Sequence, residues 1–328
     1  MNGHNTHGEP RGNGAEGGKW AVDAGEWPQV SVVVPVYNDP TGLQDTLDSL
    51  VEQTYPTDAH EVLVVDNGST DETPTVAREF ADEYEQITAL AEDEVQSSYA
   101  ARNKGIEHAS GEILAFVDAD MTAGDEWLVD AVDAFERADA EYVGCNVEMV
   151  PSEDGDSLAE RYNLQTGFPI DHFVENLGFA PTCCLLVHRS VIDDVGPFDS
   201  RLLSGGDREF GHRVRDSGRE LQFAPDATIY HPTRSTADAI LRKSRRVGRG
   251  VYQLRAFHPD RYDSAVPVAL NPVPYLPPRP DRVRSVDGWN ELSRREKAGF
   301  YLLSYARGIC NGLGRLEETV RRRASALR

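Results

Sequence analysis

The sequence predicts an α/β fold, a doubly wound mixed sheet flanked by helices, and three observations carry that prediction. Short β-branched runs alternate with segments of helical periodicity along roughly the first 120 residues. The runs are apolar throughout, which suits strands buried on both faces. Each stops abruptly at polar residues, at the end of the strand where open α/β sheets bind their ligands.

Residues 1–27 are Gly-, Asn- and Glu-rich without periodicity and read as a disordered tail. Val30 to Pro35 is a β-branched run fit for a central strand, and Leu43, Leu47, Leu50 and Val51 follow at amphipathic-helix spacing. A second strand, Val62 to Val65, ends in Asp66-Asn67-Gly68-Ser69-Thr70-Asp71. Thr73 to Tyr84 then reads as helix, Ile87 to Leu90 as strand and Ser98 to Ala109 as helix.

Gly111 to Met121, GEILAFVDADM, is the stretch around which the rest is organised. Ile113 to Val117 is too short for a helix and ends in Asp118-Ala119-Asp120. Residues i and i+2 of an extended segment face the same side, so the two carboxylates can converge on one hard divalent cation. An Asp-rich turn ahead of the next helix is the alternative reading.

Trp127 to Ala138 reads as helix, Tyr142 to Val147 as strand, 151–156 as loop, and 157–178 as helix followed by a connection. Pro181 to Val187 reads as a buried strand and Arg189 to Val195 as a short helix. A further helix opens at Gly205-Gly206-Asp207, and Leu221 to Tyr230 supplies one or two last strands ending at His231-Pro232. Residues 236–257 form a basic helix. Prolines between Pro267 and Pro280 suggest an extended linker, and Trp289 to Arg323 is helical again. Within that last helix Phe300 to Leu303 is the most apolar patch, expected to touch a membrane surface.

The chain of 328 residues carries a net charge of −22, unevenly spread. Residues 1–230 hold 13 Lys+Arg against 46 Asp+Glu, whereas 231–328 hold 20 against 9. The basic end can therefore face phosphates or an anionic membrane, while the acidic remainder leaves no expectation of a nucleic-acid partner. Only four of the cations are Lys, and an Asp/Glu-rich, Lys-poor surface is halophile-like, with high salt screening the self-repulsion. Cys145, Cys183, Cys184 and Cys310 lack metal-ligand or disulfide-framework spacing, so reduced thiols are expected. Without a signal-peptide pattern or a run near the roughly 18 to 20 apolar residues of a spanning helix, a cytoplasmic location is expected. Any membrane contact would be peripheral, at the inner face of the cell membrane.

VSVVVPVYN, VVDNGSTDET, AARNKG and FVDAD, followed by GGDREFGHRV, stand in an order and spacing that resemble glycosyltransferase family 2, inverting enzymes of the GT-A fold. The resemblance covers about residues 29–232. It implies a catalytic domain at 28–232, with a nucleotide-sugar-binding half at 28–120 and an acceptor half at 121–232. The basic, Pro-containing helical extension at 233–328 lies outside it. Position by position, Pro35, Val36, Tyr37 and Asn38 match the nucleotide-contacting loop and Asp66 the acidic residue that binds the base. Arg102 and Asn103 match the helix start beside the sugar nucleotide. Asp118 and Asp120 match the metal motif, with Asp120 the direct ligand and Asp118 closer to the ribose. Asp207 matches the general base. The family's usual Glu before that base is Gly206 here, which puts the acceptor geometry in question. His231, after the last strand, is either a further metal ligand or a structural histidine.

The implied reaction moves a sugar from a UDP-, GDP- or dTDP-linked donor to a hydroxyl or lipid-phosphate acceptor, with Mn²⁺ or Mg²⁺ as cofactor. Its setting would be glycolipid, polysaccharide or N-glycan assembly. A nucleotidyltransferase and a non-catalytic nucleotide- or carbohydrate-binding module are the alternatives. The first usually shows a Gly-rich basic loop after its first strand, which PVYNDP is not. The second would need no counterpart of Asp207. Asp207 itself has a purely local alternative, as the N-cap of its helix, and Asp66 another, as the start of an Asx turn.

Overall fold

A computed structural model describes residues 27–137, 140–152, 155, 157–262, 271–286 and 288–326. The expected tail therefore lies outside the described residues, apart from Trp27.

The first half follows the alternation read from the sequence. Strand β1 (Val30–Val36) is buried along its whole length, and helix α1 (Pro40–Val51) begins with Asp39 accepting from the Gly42 amide. Then come β2 (His60–Asp66), α2 (Thr73–Glu83), β3 (Ile87–Ala91), α3 (Ser98–His108) and β4 (Ile113–Val117). β1 pairs in parallel with β2 and β4, and β2 with β3, so their carboxyl ends share one edge. That shared edge carries Asp66 and Asp118.

The second half turns the sheet from parallel to mixed. It runs β5 (Thr122–Ala123), α4 (Trp127–Arg137), β6 (Tyr142–Val150), α5 (Leu158–Thr166) and α6 (Ile170–His172), which continues into a π-helical turn at Phe173–Leu177. β7 (Cys184–His188), α7 (Arg189–Val195), α8 (Gly206–Asp216) and β8 (Gln222–Pro232) follow. β7 lies antiparallel to β4 and β6, and the sheet order is β3-β2-β1-β4-β7-β6-β8-β5. Leu221 to Tyr230, read as one or two strands, falls on the single strand β8 from Gln222 onward, whose pairing with β6 shifts register at Cys145/Asn146. Phe116, Phe198, Phe210 and Tyr142 pack ring against ring in the core between these halves.

The basic end is a long pair of packed helices, α9 (Ala237–Phe257) and α12 (Arg294–Ala326). Between them lie α10 (Pro259–Tyr262) and α11 (Pro280–Arg284). Residues 267–270 of the expected linker are not among those described. Its remainder is docked along α12, with Tyr301 Oη donating to the Pro278 carbonyl at 3.0 Å and Tyr305 Oη to that of Tyr275 at 3.2 Å.

The expected membrane patch at Phe300 to Leu303 is mostly interior. Phe300 and Leu303 are buried with Tyr162, Ile240 and Val283 in a second apolar cluster, and only Leu302 is freely exposed. Helical periodicity explains the difference: in a four-residue run, some positions must turn toward the neighbouring helix.

Candidate functional site

The turn after β4 is held from α1. Thr46 Oγ1 donates to the Met121 carbonyl at 2.7 Å, and the Met121 amide closes the turn onto Asp118 at 3.2 Å. Both carboxylates of Asp118-Ala119-Asp120 thereby reach a cleft of about 640 Å³, whose wall also includes Arg102, Asp207, His231 and Arg234. Five residues singled out from the sequence, Arg102, Asp118, Asp120, Asp207 and His231, thus share one cavity.

Arg102, buried on α3, forms an ion pair with Asp118. Its charge also favours the ionised form of Asp207. Asp207 is half-buried, and burial with the nearby Asp118 charge raises its pKa, against the Arg208 amide and Arg102, which lower it. A raised carboxyl beside a cleft suits proton transfer near neutral pH.

Helix α8 is not capped by Asp207. The N-cap is Gly205, held at φ 88°, and the Asp207 carboxylate accepts from the adjacent Arg208 amide, at 2.8 Å. The Gly206 and Asp207 amides at the start of α8 instead lie beside the Tyr99 hydroxyl and lower its pKa, against burial, which raises it. A Cβ at position 206 would lie 2.7–2.8 Å from the Tyr99 ring, so the missing side chain makes room for that aromatic. Tyr99 is a site residue that the sequence reading missed. Its signal was the unmatched aromatic one turn before Arg102 in SYAARN, opposite an unexplained glycine.

Across the cleft, the carboxylate of Asp120 is raised by burial and by Asp118, while His231 and Arg234 oppose the shift. His231 is buried, and its pKa is lowered by burial and by the Arg234 charge. Its Nδ1 lies 2.6 Å from the Pro232 carbonyl, which can only accept, so Nδ1 carries the proton of the neutral ring. Nε2 then holds a lone pair facing Asp120 Oδ2 at 3.9 Å. Two acceptors turned toward each other across such a gap fit a shared cation. Asp118, already paired with Arg102, is the less available of the two carboxylates. Among the described residues, no group of three or more His, Cys, Asp or Glu side chains could hold a metal. Oxygen atoms from a bound ligand would have to complete the coordination.

The remaining sequence-selected residues lie outside this wall. Val36 is in register with Asp66, and the Asn67 amide donates to the Val36 carbonyl at 2.9 Å. Asn38, at φ 51°, accepts from the Thr70 amide at 2.8 Å, while its own amide donates to Ser69 Oγ at 2.8 Å. The loops after β1 and β2 are thus stitched into one platform, with Pro35 in β1 beneath it and the Tyr37 ring exposed. Asp66 is buried and accepts from the Ser69 amide at 3.2 Å, so it does form the local turn. Strand spacing puts the ends of β2 and β4 about 10 Å apart. Asn103 spends its amide on the Phe198 backbone, donating at 2.8 Å and accepting at 3.0 Å.

Three comparisons bear on this geometry. The model of the family described as Glycosyl transferase family 2 matches residues 31–196. The chain is 43% identical over 227 residues to glycosyltransferase AglE of Haloferax volcanii, covering 69% of this chain and 74% of that protein. It is 27% identical to the pre-mycofactocin glycosyltransferase of Mycobacterium tuberculosis, spanning 71% of this chain and 48% of that one. Among solved structures it is similar to the mannosyltransferase PcManGT from Pyrobaculum calidifontis in complex with GDP-Man and Mn²⁺. There the TM-score is 0.61 at 21% identity, over 88% of this chain and 87% of that chain. Similarity to S. aureus TarS in complex with UDP-GlcNAc has a TM-score of 0.51 at 20% identity, over 90% and 92% of the two chains.

Two predictions follow from the packing around Arg102. Arg102→Met should lower stability by about 2 kcal/mol, less than the roughly 3–5 kcal/mol for breaking a fully buried pair because Asp118 is partly exposed. Denaturant unfolding at neutral pH measures it, and a change below about 0.5 kcal/mol would contradict the pairing. Tyr99→Phe removes a buried hydroxyl beside the start of α8 and should cost about 1 kcal/mol, read as a lower unfolding midpoint; an unchanged midpoint would show that the hydroxyl contributes nothing to the start of α8.

Proposed function

Because the chain belongs to glycosyltransferase family 2 and has the GT-A fold, we propose that it transfers a sugar from a nucleoside-diphosphate donor to an acceptor hydroxyl with inversion. The observation that carries this reading is the convergence of Asp118, Asp120, Arg102 and Asp207 on one cleft. Membership makes the protein a glycosyltransferase, so the nucleotidyltransferase and binding-module alternatives fall away. Relatives crystallised with GDP-Man and with UDP-GlcNAc support a nucleotide-sugar donor.

The stitched loops after β1 and β2 supply the nucleotide platform, with Asp66 and the exposed Tyr37 as its base contacts. Arg102 and Asp118 stand between that platform and the reacting centre. Asp120, with His231 and a share of Asp118, would hold a divalent cation. When bound, that ion supplies positive charge against the diphosphate as the leaving group accumulates negative charge. Asp207 takes the proton from the acceptor hydroxyl as its oxygen bonds to the anomeric carbon. The electron pair of the old glycosidic bond leaves on the diphosphate. Base assistance of this kind is worth about 10² to 10⁴ in rate. A single displacement inverts the anomeric centre and asks for no enzyme nucleophile.

We also infer peripheral contact with an anionic bilayer through α12. Leu302, Leu313, Leu316 and Val320 are all exposed and recur on one helical face, with Val273 and Leu276 exposed on the segment docked beside it. Five helical turns span about 27 Å, long enough to lie along a membrane surface. Exposed Arg279, Arg282 and Arg323 add cations, each worth about 1 kcal/mol at an anionic surface and less in salt. Among the described residues no helix is long and apolar enough to cross a membrane.

Turnover of UDP-, GDP- and dTDP-sugars with Mn²⁺ tests the donor and the roles of the two Asp residues. Asp120→Ala should abolish metal-dependent turnover, and undiminished turnover would remove Asp120 from the metal site. The base must be ionised, so activity should be full above the Asp207 pKa and fall as pH drops through it. With that pKa raised, the acid limb of kcat/KM should lie above the ordinary Asp value near 3.9. Asp207→Asn should cost 10²-fold or more in transfer and eliminate the limb; a wild-type profile in the variant would return Asp207 to a structural role. For the membrane, Leu313→Glu/Leu316→Glu should reduce co-sedimentation with phosphatidylglycerol vesicles at least fivefold at matched salt. Equal binding would leave α12 without that role.

A further inference from the structure

The reaction above uses one side of the cleft, and the opposite side carries positive charge that it leaves idle. Arg234 from the segment after β8, Lys243 and Arg246 from α9, and Arg307 from α12 all line the cleft. Beyond them it continues into a chamber of about 410 Å³ between α5, α9 and α12, whose wall again includes Arg234, Lys243 and Arg307. Among the described residues, no Asp or Glu lines that chamber.

The basic residues of α9 divide sharply by direction. Arg242, Arg245 and Arg249 are neutralised by Asp238, Glu317 and Glu318 respectively. Among the described residues, Arg234, Lys243, Arg246 and Arg307 form no ion pair with a carboxylate within 4 Å, and Arg234 keeps a buried Nη1 without a hydrogen-bond partner. Lys243 is held with its ammonium 4.4 Å from the centre of the Phe168 ring, whose other neighbour is the His231 ring at 5.3 Å. Phe168 is therefore the partition between the proposed metal side and the chamber. Arg307 is fixed by donating to Tyr162 Oη at 2.7 Å. Burial and the charges of Arg234 and Arg246 push the Lys243 ammonium down to about 8, the behaviour of a cation set among cations.

Gathering like charges in a half-buried chamber is unfavourable unless an anion enters it. The number of cations points to a dianion, because one carboxylate would leave most of the charge uncompensated. Arg and Lys together suit a phosphoryl group, with the guanidinium supplying forked donors and the ammonium a point charge.

We infer that this chamber binds a phosphoryl group carried by the acceptor, separate from the diphosphate of the donor. The inference rests on the glycosyltransferase reading of the adjoining cleft. It deepens that reading, because a retained base at Asp207 requires a hydroxyl as the attacking group. The phosphoryl group then serves as the handle by which the acceptor is held. Its source is either a lipid-linked phosphate or a water-soluble sugar phosphate.

The test is calorimetric titration of the full chain with inorganic pyrophosphate in the presence of saturating UDP and Mn²⁺, so that the donor side is filled. Binding should persist under those conditions, weaken at least tenfold in Lys243→Met and in Arg307→Met, and be retained in Lys243→Arg. Matched thermal unfolding midpoints would separate loss of binding from loss of fold. Complete displacement of pyrophosphate by UDP would overturn the inference, since the cations would then belong to the donor diphosphate. Unaltered binding in both Met variants would overturn it as well, as would glucuronate binding as tightly as pyrophosphate. Farnesyl diphosphate binding more tightly than pyrophosphate assigns the lipid-linked source, and equal binding assigns the soluble one. Nucleotide-sugar hydrolysis by the unaltered protein reads the donor chemistry independently, so failure there with pyrophosphate binding intact would count against the glycosyltransferase mechanism and not against the chamber.

Discussion

One buried guanidinium governs the geometry of the catalytic cleft. Arg102 pairs with Asp118, lies over the Tyr99 ring at 5.6 Å and sends its field to Asp207. A cation on α3 thereby couples the end of β4 to the start of α8, two elements almost ninety residues apart in sequence. Without it, Asp118 would lose its ion-pair partner and Asp207 a favourable charge, while Asp118 would still raise the proton affinity of Asp207. With it, Asp118 is compensated and Asp207 is partly so. Asp120 remains the carboxylate whose ionisation still awaits a cation. The proposed division of roles between the two aspartates of the motif follows from which one the arginine reaches.

The basic end of the chain completes the same cavity from outside the family-matched segment. β8 delivers His231 and, just beyond it, Arg234, while α9 and α12 close over the gap left between the sheet edge and α8. Leu254 of α9 packs into the main core, and a Cβ on Gly205 would come within 2.8 Å of it. The extension is therefore tied structurally to the loop that presents Asp207. A net charge that looks contradictory along the chain, acidic first and basic last, becomes complementary in space: carboxylates on one wall, cations on the other. A ligand carrying both a metal-bound diphosphate and a second anion would meet opposite signs where it needs them.

Much of the fold was legible because parallel strands buried on both faces must be continuous apolar runs, and Val30 to Val36 or Ile113 to Val117 can be little else. Strand-end aspartates were legible for the same reason, since a polar break after such a run marks the sheet edge. Legibility failed where a role depends on partners distant in sequence. Tyr99 packs against the start of a helix that begins more than a hundred residues later, and Phe168 separates two cavities from a segment without periodicity. Phe300 and Leu303 read as a surface patch because the residues that bury them, Tyr162 and Ile240, lie far away in the chain. Nothing local distinguishes Arg245, neutralised by Glu317, from Arg246, which faces the cleft.

Gly206 shows what a departure from a family pattern can mean physically. The resemblance led to an expected Glu there, and its absence read as a lost carboxylate beside the base. In the structure the position has no room for any side chain, because the Tyr99 ring occupies the space a Cβ would need. The neighbour of Asp207 is thus a neutral phenol in place of the expected carboxylate, with the amides of the first helical turn beside its hydroxyl. A second carboxylate beside Asp207 would raise its proton affinity further, whereas a packed phenol adds no negative charge. Tyr99 therefore keeps Asp207 in place without repelling its ionised form, and Arg102, stacked on the same ring, has one fewer acid to neutralise.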